Sequence, residues 1–272
     1  DAGTTQDAPT TDIDGNPRPV DIAGVGADGT GTEIDMGCYE KQHIYYVDKD
    51  NTSGVEDGTS WATDYTKIQE AIDEAYPTGD GEIWVAEGIY TSTIDPVLYM
   101  RKGIEVYGGF IGNAAGGQET AREQRNWEKH LTIISGEDTR RCVAIYESSC
   151  VLDGFLLMRG YGIFAGGILI NDCSPTIKNC VLTKNWVSHM SGGIYIRGGK
   201  PYIIDCVFVH NYVNINYGGG LRISSGDTIV ENSCFIGYSA TRGGAVYIDD
   251  FEANIQFSNC TFYGNRAING GG

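Results

Sequence analysis

The segment at residues 48–58 places several side-chain oxygens within a short stretch of chain. Asp48, Asp50 and Asp57 each supply a carboxylate there, and hard cations such as Ca²⁺ bind several oxygen ligands of this kind. The spacing of these residues differs from that of an EF-hand loop. Two interpretations follow: a calcium site at Asp48, Asp50 and Asp57, or a turn whose carboxylates are solvated.

A second group of residues could bind sugar rings. Apolar residues alternate after each of four glycine pairs, which predicts strands whose outward positions carry Leu169, Tyr195, Arg222 and Tyr247. Tyr195, Arg222 and Tyr247 are therefore candidate sugar-binding residues, because tyrosine has an apolar ring and a polar hydroxyl. Ordinary packing of the strand face is the alternative interpretation.

Catalysis would need further groups. Glycoside hydrolysis ordinarily uses two carboxylates that flank the scissile bond, and Asp205, Asp227 and Asp249 could supply such a pair if the fold brings them together. Their spacing does not establish those distances, so we assign no catalytic residue.

The overall composition bounds the class of protein. The chain has 272 residues and a net charge of −17, from 36 acidic and 19 basic side chains. A surface of this charge repels nucleic acid and anionic membranes. The sequence contains no run of about eighteen apolar residues, so we predict no membrane span. The abundance of glycine and tyrosine, 39 and 17 residues against 7 prolines, favours short strands and tight bends.

The elements that must position these side chains are repeated. Glycine pairs begin at Gly166, Gly192, Gly219 and Gly243, at intervals of 26, 27 and 24 residues. A repeat of this length is typical of a stacked solenoid in which each coil packs on its neighbours. Glycine is expected at the bends because other residues resist the backbone conformations found there.

Cysteine and asparagine follow the same rhythm. The predicted inward cysteine file is Cys150, Cys180, Cys206, Cys234 and Cys260. Two polar files are predicted, one of Asn179, Asp205, Ser233 and Asn259, the other of Asn185, Asn211, Ser239 and Asn265. Stacked amides can hydrogen-bond along such a file. Stacked cysteines point the same way, so we expect buried thiols. Disulfides remain an alternative for Cys142 with Cys150, for Cys173 and for Cys38 in an oxidising compartment.

Two resemblances build on this repeat. The pattern C-x-F-x-x-N followed by GG-x-x-x-I, as in CVFVHN and CTFYGN, resembles the right-handed parallel β-helix repeats of pectate-lyase-like proteins and polymorphic outer-membrane proteins, over residues 142–272. Residues 44–75, 103–113 and 122–137 resemble the amino-terminal cap and first coils of bacterial surface proteins with choice-of-anchor Q domains. Residues 1–40 resemble the closing segment of that same domain type.

We therefore predict an all-β fold, a right-handed parallel β-helix with coils of about 24–28 residues and a short amino-terminal capping helix near residues 64–76. Thr63 or Asp64 is the expected helix cap, and the expected buried stripe of the helix is Ile68, Ala71, Ile72 and Ala75. Residues 1–40 are expected to be a turn-rich segment that resembles the carboxyl-terminal end of a preceding or partner domain. Residues 41–272 are expected to form the β-helix domain, open at its carboxyl end.

The resemblance implies a non-catalytic structural or adhesive module of a bacterial extracellular or cell-surface protein. Exposed solenoid ends would pair head-to-tail with copies of the chain or with adjacent tandem domains. The alternative is a carbohydrate-active enzyme, either a polysaccharide lyase or a glycoside hydrolase, or a carbohydrate-binding module with a polysaccharide as partner. No cofactor is expected, apart from calcium at the acidic loop.

Overall fold

The computed structural model describes residues 43–77, 79, 81–113, 119–146, 149–213, 217–250 and 253–269. All of these except His43 belong to one compact unit, Ile44–Gly272. The segment predicted at residues 1–40, with Cys38, lies outside the described residues.

The unit is built from short strands and one α-helix, α1 (Ile68–Ala75). The strands, in chain order, are β1 (Ile44–Val47), β2 (Gly81–Ala86), β3 (Gly88–Tyr90), β4 (Leu98–Met100), β5 (Ile104–Phe110), β6 (Thr132–Ser135), β7 (Val143–Ile145), β8 (Val151–Asp153), β9 (Phe155–Met158), β10 (Tyr161–Gly162), β11 (Ile168–Asn171), β12 (Thr176–Lys178), β13 (Val181–Thr183), β14 (Trp186–Val187), β15 (Ile194–Arg197), β16 (Tyr202–Ile204), β17 (Val207–Val209), β18 (Tyr212–Val213), β19 (Leu221–Ser225), β20 (Thr228–Glu231), β21 (Cys234–Ile236), β22 (Ser239–Ala240), β23 (Val246–Ile248), β24 (Ile255–Ser258), β25 (Thr261–Tyr263) and β26 (Arg266–Ala267). A single turn of 3₁₀-helix spans Arg122–Gln124.

Three parallel sheets run along the unit. Their strand orders are β1-β2-β5-β8-β12-β16-β20-β24, β3-β6-β9-β13-β17-β21-β25 and β4-β7-β11-β15-β19-β23. Two short sheets, β10-β14-β18 and β22-β26, add a further strand to the later coils. Each coil from β2 to β23 gives one strand to each of these sheets, and this arrangement confirms the predicted parallel β-helix.

The core is a set of side-chain files that run from coil to coil. Ile168, Ile194, Leu221 and Val246 occupy equivalent positions in neighbouring strands, as predicted. A second file includes Phe208, Phe235 and Phe262, whose rings stack with centroids 4.5 and 5.0 Å apart. Burying one such side chain contributes about 1.5–3 kcal/mol, so the stacked files are a principal source of stability.

The helix starts later than predicted. Its apolar stripe of Ile68, Ala71, Ile72 and Ala75 is buried, which confirms that part of the prediction. Thr63 or Asp64 as its cap is wrong, because Tyr65 forms a parallel bridge with Val47 and keeps the chain extended. The N-cap is Lys67, which is also extended. Within the described ranges, no helix has the length and apolar character needed to cross a membrane.

Candidate functional site

The glycine file follows the register of the six-stranded sheet. Gly166, Gly192 and Gly219 precede the equivalent strands β11, β15 and β19 by two residues. In the next coil the register places Gly244 at this position, so the prediction of Gly243 is wrong by one residue. Space explains the requirement for glycine, because a Cβ atom on Gly192 would lie 2.8 Å from the backbone nitrogen of Tyr212.

The cysteine file is real but shorter than predicted. The register of the seven-stranded sheet stacks Cys180, Cys206, Ser233 and Cys260. Cys234 is wrongly assigned to the file, because it pairs with Val207 and Thr261, one residue further along. Cys150 is also wrongly assigned: it precedes β8, whose register aligns it with Pro175, and Phe155 occupies the position beneath Cys180.

The members of this file bind the backbone of the bend they occupy. The Cys206 Sγ donates to the carbonyl of Ile204 at 3.2 Å and to that of Ile177, in the preceding coil, at 3.6 Å. The Ser233 hydroxyl donates to the carbonyl of Glu231 at 2.8 Å in the same way. A small side chain that carries a donor therefore suits this position, and both residue types meet that need.

Cys142 and Cys173 are free thiols, so the disulfide considered between Cys142 and Cys150 is not formed. Burial raises the pKa of Cys142 to about 12 and that of Cys173 to about 11. Burial also raises the pKa of Cys206 well above its ordinary value. Since the thiolate is the reactive form, these residues are packing elements rather than nucleophiles.

The first polar file lies where the chain turns between the eight- and seven-stranded sheets. It contains Asn179, Asp205, Asn232 and Asn259, all with left-handed backbone (φ of 49–53°). Ser233 was predicted here in place of Asn232. Asparagine and aspartate tolerate this conformation better than serine, and the Asn259 amide donates to Asn232 Oδ1 at 2.8 Å.

The second polar file points into the solenoid. Its members are Asn185, Asn211, Tyr238 and Asn265, with Tyr238 where Ser239 was predicted. The Asn185 amide donates to Asn211 Oδ1 at 2.9 Å, and the Asn211 amide donates to Tyr238 Oη at 2.7 Å. The larger tyrosine reaches the asparagine beneath it, so the file stays continuous.

The acidic loop does not assemble its three candidates into a cluster. Asp48 is buried and accepts from the Asp50 backbone N–H, Asp50 pairs with Lys49 at 2.7 Å, and Asp57 accepts from the Thr63 hydroxyl. Within the part of the chain that the structure describes, no three His, Cys, Asp or Glu side chains form a group that could hold a metal ion. Calcium binding at Asp48, Asp50 and Asp57 stays a prediction.

Asp64 is a further carboxylate that spacing did not single out as unusual. It is 1 % exposed, and neither of its carboxylate oxygens has a hydrogen-bond partner among the described residues. Burial, with a smaller contribution from the nearby Asp48 charge, raises the pKa of Asp64 to about 7. This carboxyl therefore keeps its proton to a higher pH than an ordinary aspartate does.

The candidate sugar-binding residues form a file on the outer surface of the six-stranded sheet. Tyr195 pairs with Arg222, and Arg222 with Tyr247, as the alternation predicts. However, Tyr195 is 7 % exposed and Arg222 9 % exposed. The loop preceding β11 covers them in part, since the Phe164 ring stacks 6.2 Å from that of Tyr195. Tyr195 thus lacks the open ring face that the sugar-binding hypothesis needs, the Arg222 guanidinium is largely covered, and Tyr247 is half-buried.

Arg222 acts as the centre of an aromatic cluster. Its guanidinium binds the Asp249 carboxylate at 2.7 Å and lies over the rings of Tyr195, Tyr217 and Tyr247, at 5.4, 4.7 and 5.6 Å from their centroids. This ion pair also occupies one of the three carboxylates considered for hydrolysis.

The other two carboxylates, Asp205 and Asp227, are far apart along the coil. Asp205 follows β16, whereas Asp227 precedes β20 in the same sheet, so they lie at opposite ends of neighbouring strands. Asp227 forms an ion pair with Lys200 at 3.0 Å. The predicted carboxylate pair is therefore not assembled from these two residues.

A cleft of about 390 Å³ lies beside the buried file, and its size is within the range of small-molecule sites, about 300–1,000 Å³. We call it the outer cleft. Its lining includes Asp95, Arg141, Tyr146, Phe164, Tyr195 and Arg197. Only Tyr195 among these was a candidate from sequence, because Arg197 lies at the end of β15 and the others come from segments between strands in different coils, which no single repeat places together.

Comparison with known proteins gives one match. The family described as the right handed beta helix region matches residues 129–272. No curated protein and no solved structure matches the chain. The matched segment covers more than half of the sequence and coincides with coils whose parallel sheets and stacked files are described above. The chain belongs to the right-handed β-helix family.

Proposed function

We propose that this chain is a non-catalytic structural or adhesive module of a bacterial extracellular or cell-surface protein. The observation that carries the proposal is the inner polar file of Asn185, Asn211, Tyr238 and Asn265, which is hydrogen-bonded from one coil to the next. Buried polar groups that are all satisfied make a core rigid. A rigid rod suits a module that holds a binding surface away from its anchor.

The outer cleft supports an adhesive role. Its walls combine exposed aromatic side chains, Tyr146 and Phe164, with two arginines. Asp95 is the carboxylate among its described lining residues, and one of its oxygens accepts from the Arg141 backbone N–H at 2.7 Å. Glycoside hydrolysis ordinarily needs two carboxylates, so this lining favours binding without cleavage.

The structural part of the proposal is that a further coil stacks on the coil of β24, β25 and β26, which we call coil addition. In the coil of β24, β25 and β26, the side chains of Phe262, Tyr263 and Ile268 are 46, 72 and 77 % exposed. An exposed strand edge beside apolar side chains is a template for another strand. A further coil, from an adjacent domain or from another copy of the chain, would cover these residues.

Electrophoresis through gels that contain polysaccharide tests the adhesive role. We expect at least one polysaccharide to retard the protein while its chain length, followed by size-exclusion chromatography, stays constant. Shortening of the polysaccharide would overturn the non-catalytic assignment.

Sedimentation velocity tests coil addition. We expect concentration-dependent association that Tyr263→Asp and Ile268→Asp reduce. Ile94→Asp is the matched control, because Ile94 is 71 % exposed and lies outside this coil. A chain that stays monomeric at high concentration and binds no polysaccharide would contradict both parts of the proposal.

A further inference from the structure

Asp64 carries a buried carboxylate whose oxygens have no hydrogen-bond partner in the described part of the chain. The side chain is 1 % exposed, and both of its oxygens are shielded from solvent. Buried polar atoms are ordinarily hydrogen-bonded, and a buried charge is ordinarily paired or bound to a metal ion. The two oxygens of Asp64 therefore point to a ligand from outside the protein.

A second buried carboxylate, that of Asp48, lies close to Asp64. Val47 and Tyr65 form a parallel bridge, and the backbone N–H of Asp48 donates to the Tyr65 carbonyl at 2.9 Å. Residues next to two bridged partners point to the opposite side of the strand from them, so Asp48 and Asp64 share the outer side. The Asp48 side chain is 2 % exposed, and its charge contributes to the raised pKa of Asp64.

The loop after β1 holds the two aspartates in place. The Asn51 backbone N–H donates to the Asp48 carbonyl at 3.1 Å, and the Asn51 side-chain amide donates to the Asp64 carbonyl. The Asp50 backbone N–H donates to Asp48 Oδ1 at 3.0 Å, which fixes that carboxylate. A ligand therefore meets two positioned carboxylates, and little ordering of the chain opposes its binding.

A bound proton removes the charge of Asp64 but not its need for partners. Burial raises the pKa of Asp64 to about 7, so the carboxyl can stay neutral when no cation is bound. A neutral carboxyl still has an O–H donor and a carbonyl acceptor, and neither oxygen has a described partner. Lys49 does not supply the missing charge, because it pairs with Asp50 at 2.7 Å. A metal cation would satisfy both the charge and the oxygens.

We propose that Asp48 and Asp64 bind one Ca²⁺ ion, whose remaining ligands are water. Two carboxylates balance the charge of a divalent cation, and Ca²⁺ accepts about six to eight oxygen ligands in irregular arrangements. Mg²⁺ suits the pair less well, because it needs near-octahedral geometry and loses its water reluctantly. The net charge of −17 also raises the local concentration of cations around the protein.

This pair differs from the sequence-predicted calcium set, since Asp57 is exposed and accepts from the Thr63 hydroxyl. Asp48 directly follows β1, whereas Asp64 precedes α1 (Ile68–Ala75) by four residues. A cation held by both would tie the first strand to the segment that leads into the capping helix. Calcium would thus stabilise the amino-terminal end of the β-helix.

Isothermal titration calorimetry of the chelator-treated chain with CaCl₂ tests the inference. We expect Ca²⁺ to bind and MgCl₂ to bind more weakly in the same buffer. Titration to about 10 mM covers the weakest calcium sites of extracellular modules, whose Kd values lie at about 0.1–1 mM. Absence of calcium binding over that range would overturn the inference, as would equal affinities for the two cations.

Asp64→Asn is the informative variant, because it removes the charge and one oxygen ligand with almost no change in volume. We expect at least about a tenfold loss of calcium affinity. The matched control is Asp57→Asn, which makes the same charge change at an exposed position of the same loop and should alter affinity by less than about twofold. A loss confined to Asp57→Asn would assign the ion to the exposed loop and overturn the inference.

Hydrogen exchange of the wild-type chain tests the site without any substitution. Calcium should slow exchange of the backbone amides of Asp48, Asp50 and Tyr65, whose hydrogen bonds frame the site, and leave β24 and β25 unchanged. Protection that spares residues 48–65 would overturn the inference. The retardation and sedimentation results would still decide the proposed function of the rod, because neither depends on this ion.

Discussion

Replacement of Asn211 by alanine should destabilise the β-helix strongly. The Asn211 side chain is 6 % exposed and makes four hydrogen bonds: its Nδ2 donates to the Leu182 carbonyl at 2.8 Å and to Tyr238 Oη at 2.7 Å, and its Oδ1 accepts from the backbone N–H and the side-chain amide of Asn185 at 3.1 and 2.9 Å. Each net hydrogen bond contributes about 1 kcal/mol, and a buried group left without a partner costs about 1–3 kcal/mol. We expect a loss of about 4 kcal/mol in the free energy of unfolding.

Urea denaturation, followed by circular dichroism, measures this loss. The matched control is Asn254→Ala, because Asn254 is exposed and makes no described side-chain hydrogen bond. An exposed substitution of this kind usually changes stability by less than about 0.5 kcal/mol. A loss below about 1 kcal/mol for Asn211→Ala, with an unchanged denaturant slope, would refute the idea that the inner polar file stabilises the rod.

Three further substitutions test the same account of the fold. Gly199→Ala should lower the free energy of unfolding by more than about 3 kcal/mol, because the new Cβ would lie 1.9 Å from the Cys173 carbonyl oxygen. The control is Gly54→Ala, which is also at positive φ but in open space and should cost about 1 kcal/mol. Similar costs for the two variants would contradict the steric argument. Asp64→Asn should remove one contribution to the pH dependence of stability. The raised pKa of Asp64 means that the folded state binds this proton more tightly than the unfolded chain, so the stability of the wild type should fall as the pH rises from 4 to 7. The urea midpoints at pH 5 and pH 8 should therefore differ less in the variant than in the wild type. Cys206→Ser should cost less than Cys206→Ala by about 1 kcal/mol in the same assay, because a hydroxyl can donate to the carbonyl that the thiol now binds; equal costs would exclude a role for that donor.

The β-helix could be predicted from the sequence because stacked positions need similar residues once in every coil. Residues that must fit beneath one another recur at the length of a coil, and Gly166, Gly192 and Gly219 were placed correctly for that reason. The error at Cys234 has a physical cause. Serine and cysteine are close in size and both carry a donor, so the residue type alone does not show which of Ser233 and Cys234 belongs to the file. The backbone does show it, because the file residue directly follows the left-handed Asn232.

The outer surface was harder to predict. Alternation correctly assigned Tyr195 and Arg222 to the outward side of their strands. It does not report whether that side meets water, and here Phe164 and Tyr217 lie against it. The outer cleft was missed for a related reason, since Arg141 and Arg197 belong to different coils and lie in a local turn and at a strand end.

The direction of the inner hydrogen bonds has a consequence for how the rod is made. The amides of Asn185, Asn211 and Asn265 donate to the carbonyls of Leu157, Leu182 and Phe235, each in the coil before their own. Because the ribosome makes the chain amino end first, each of these asparagines has one acceptor already in place, whereas the second bonds of Asn185 and Asn211 form only with the following coil. The hydrogen bonds to the preceding coil therefore allow the solenoid to wind one coil at a time from its amino end.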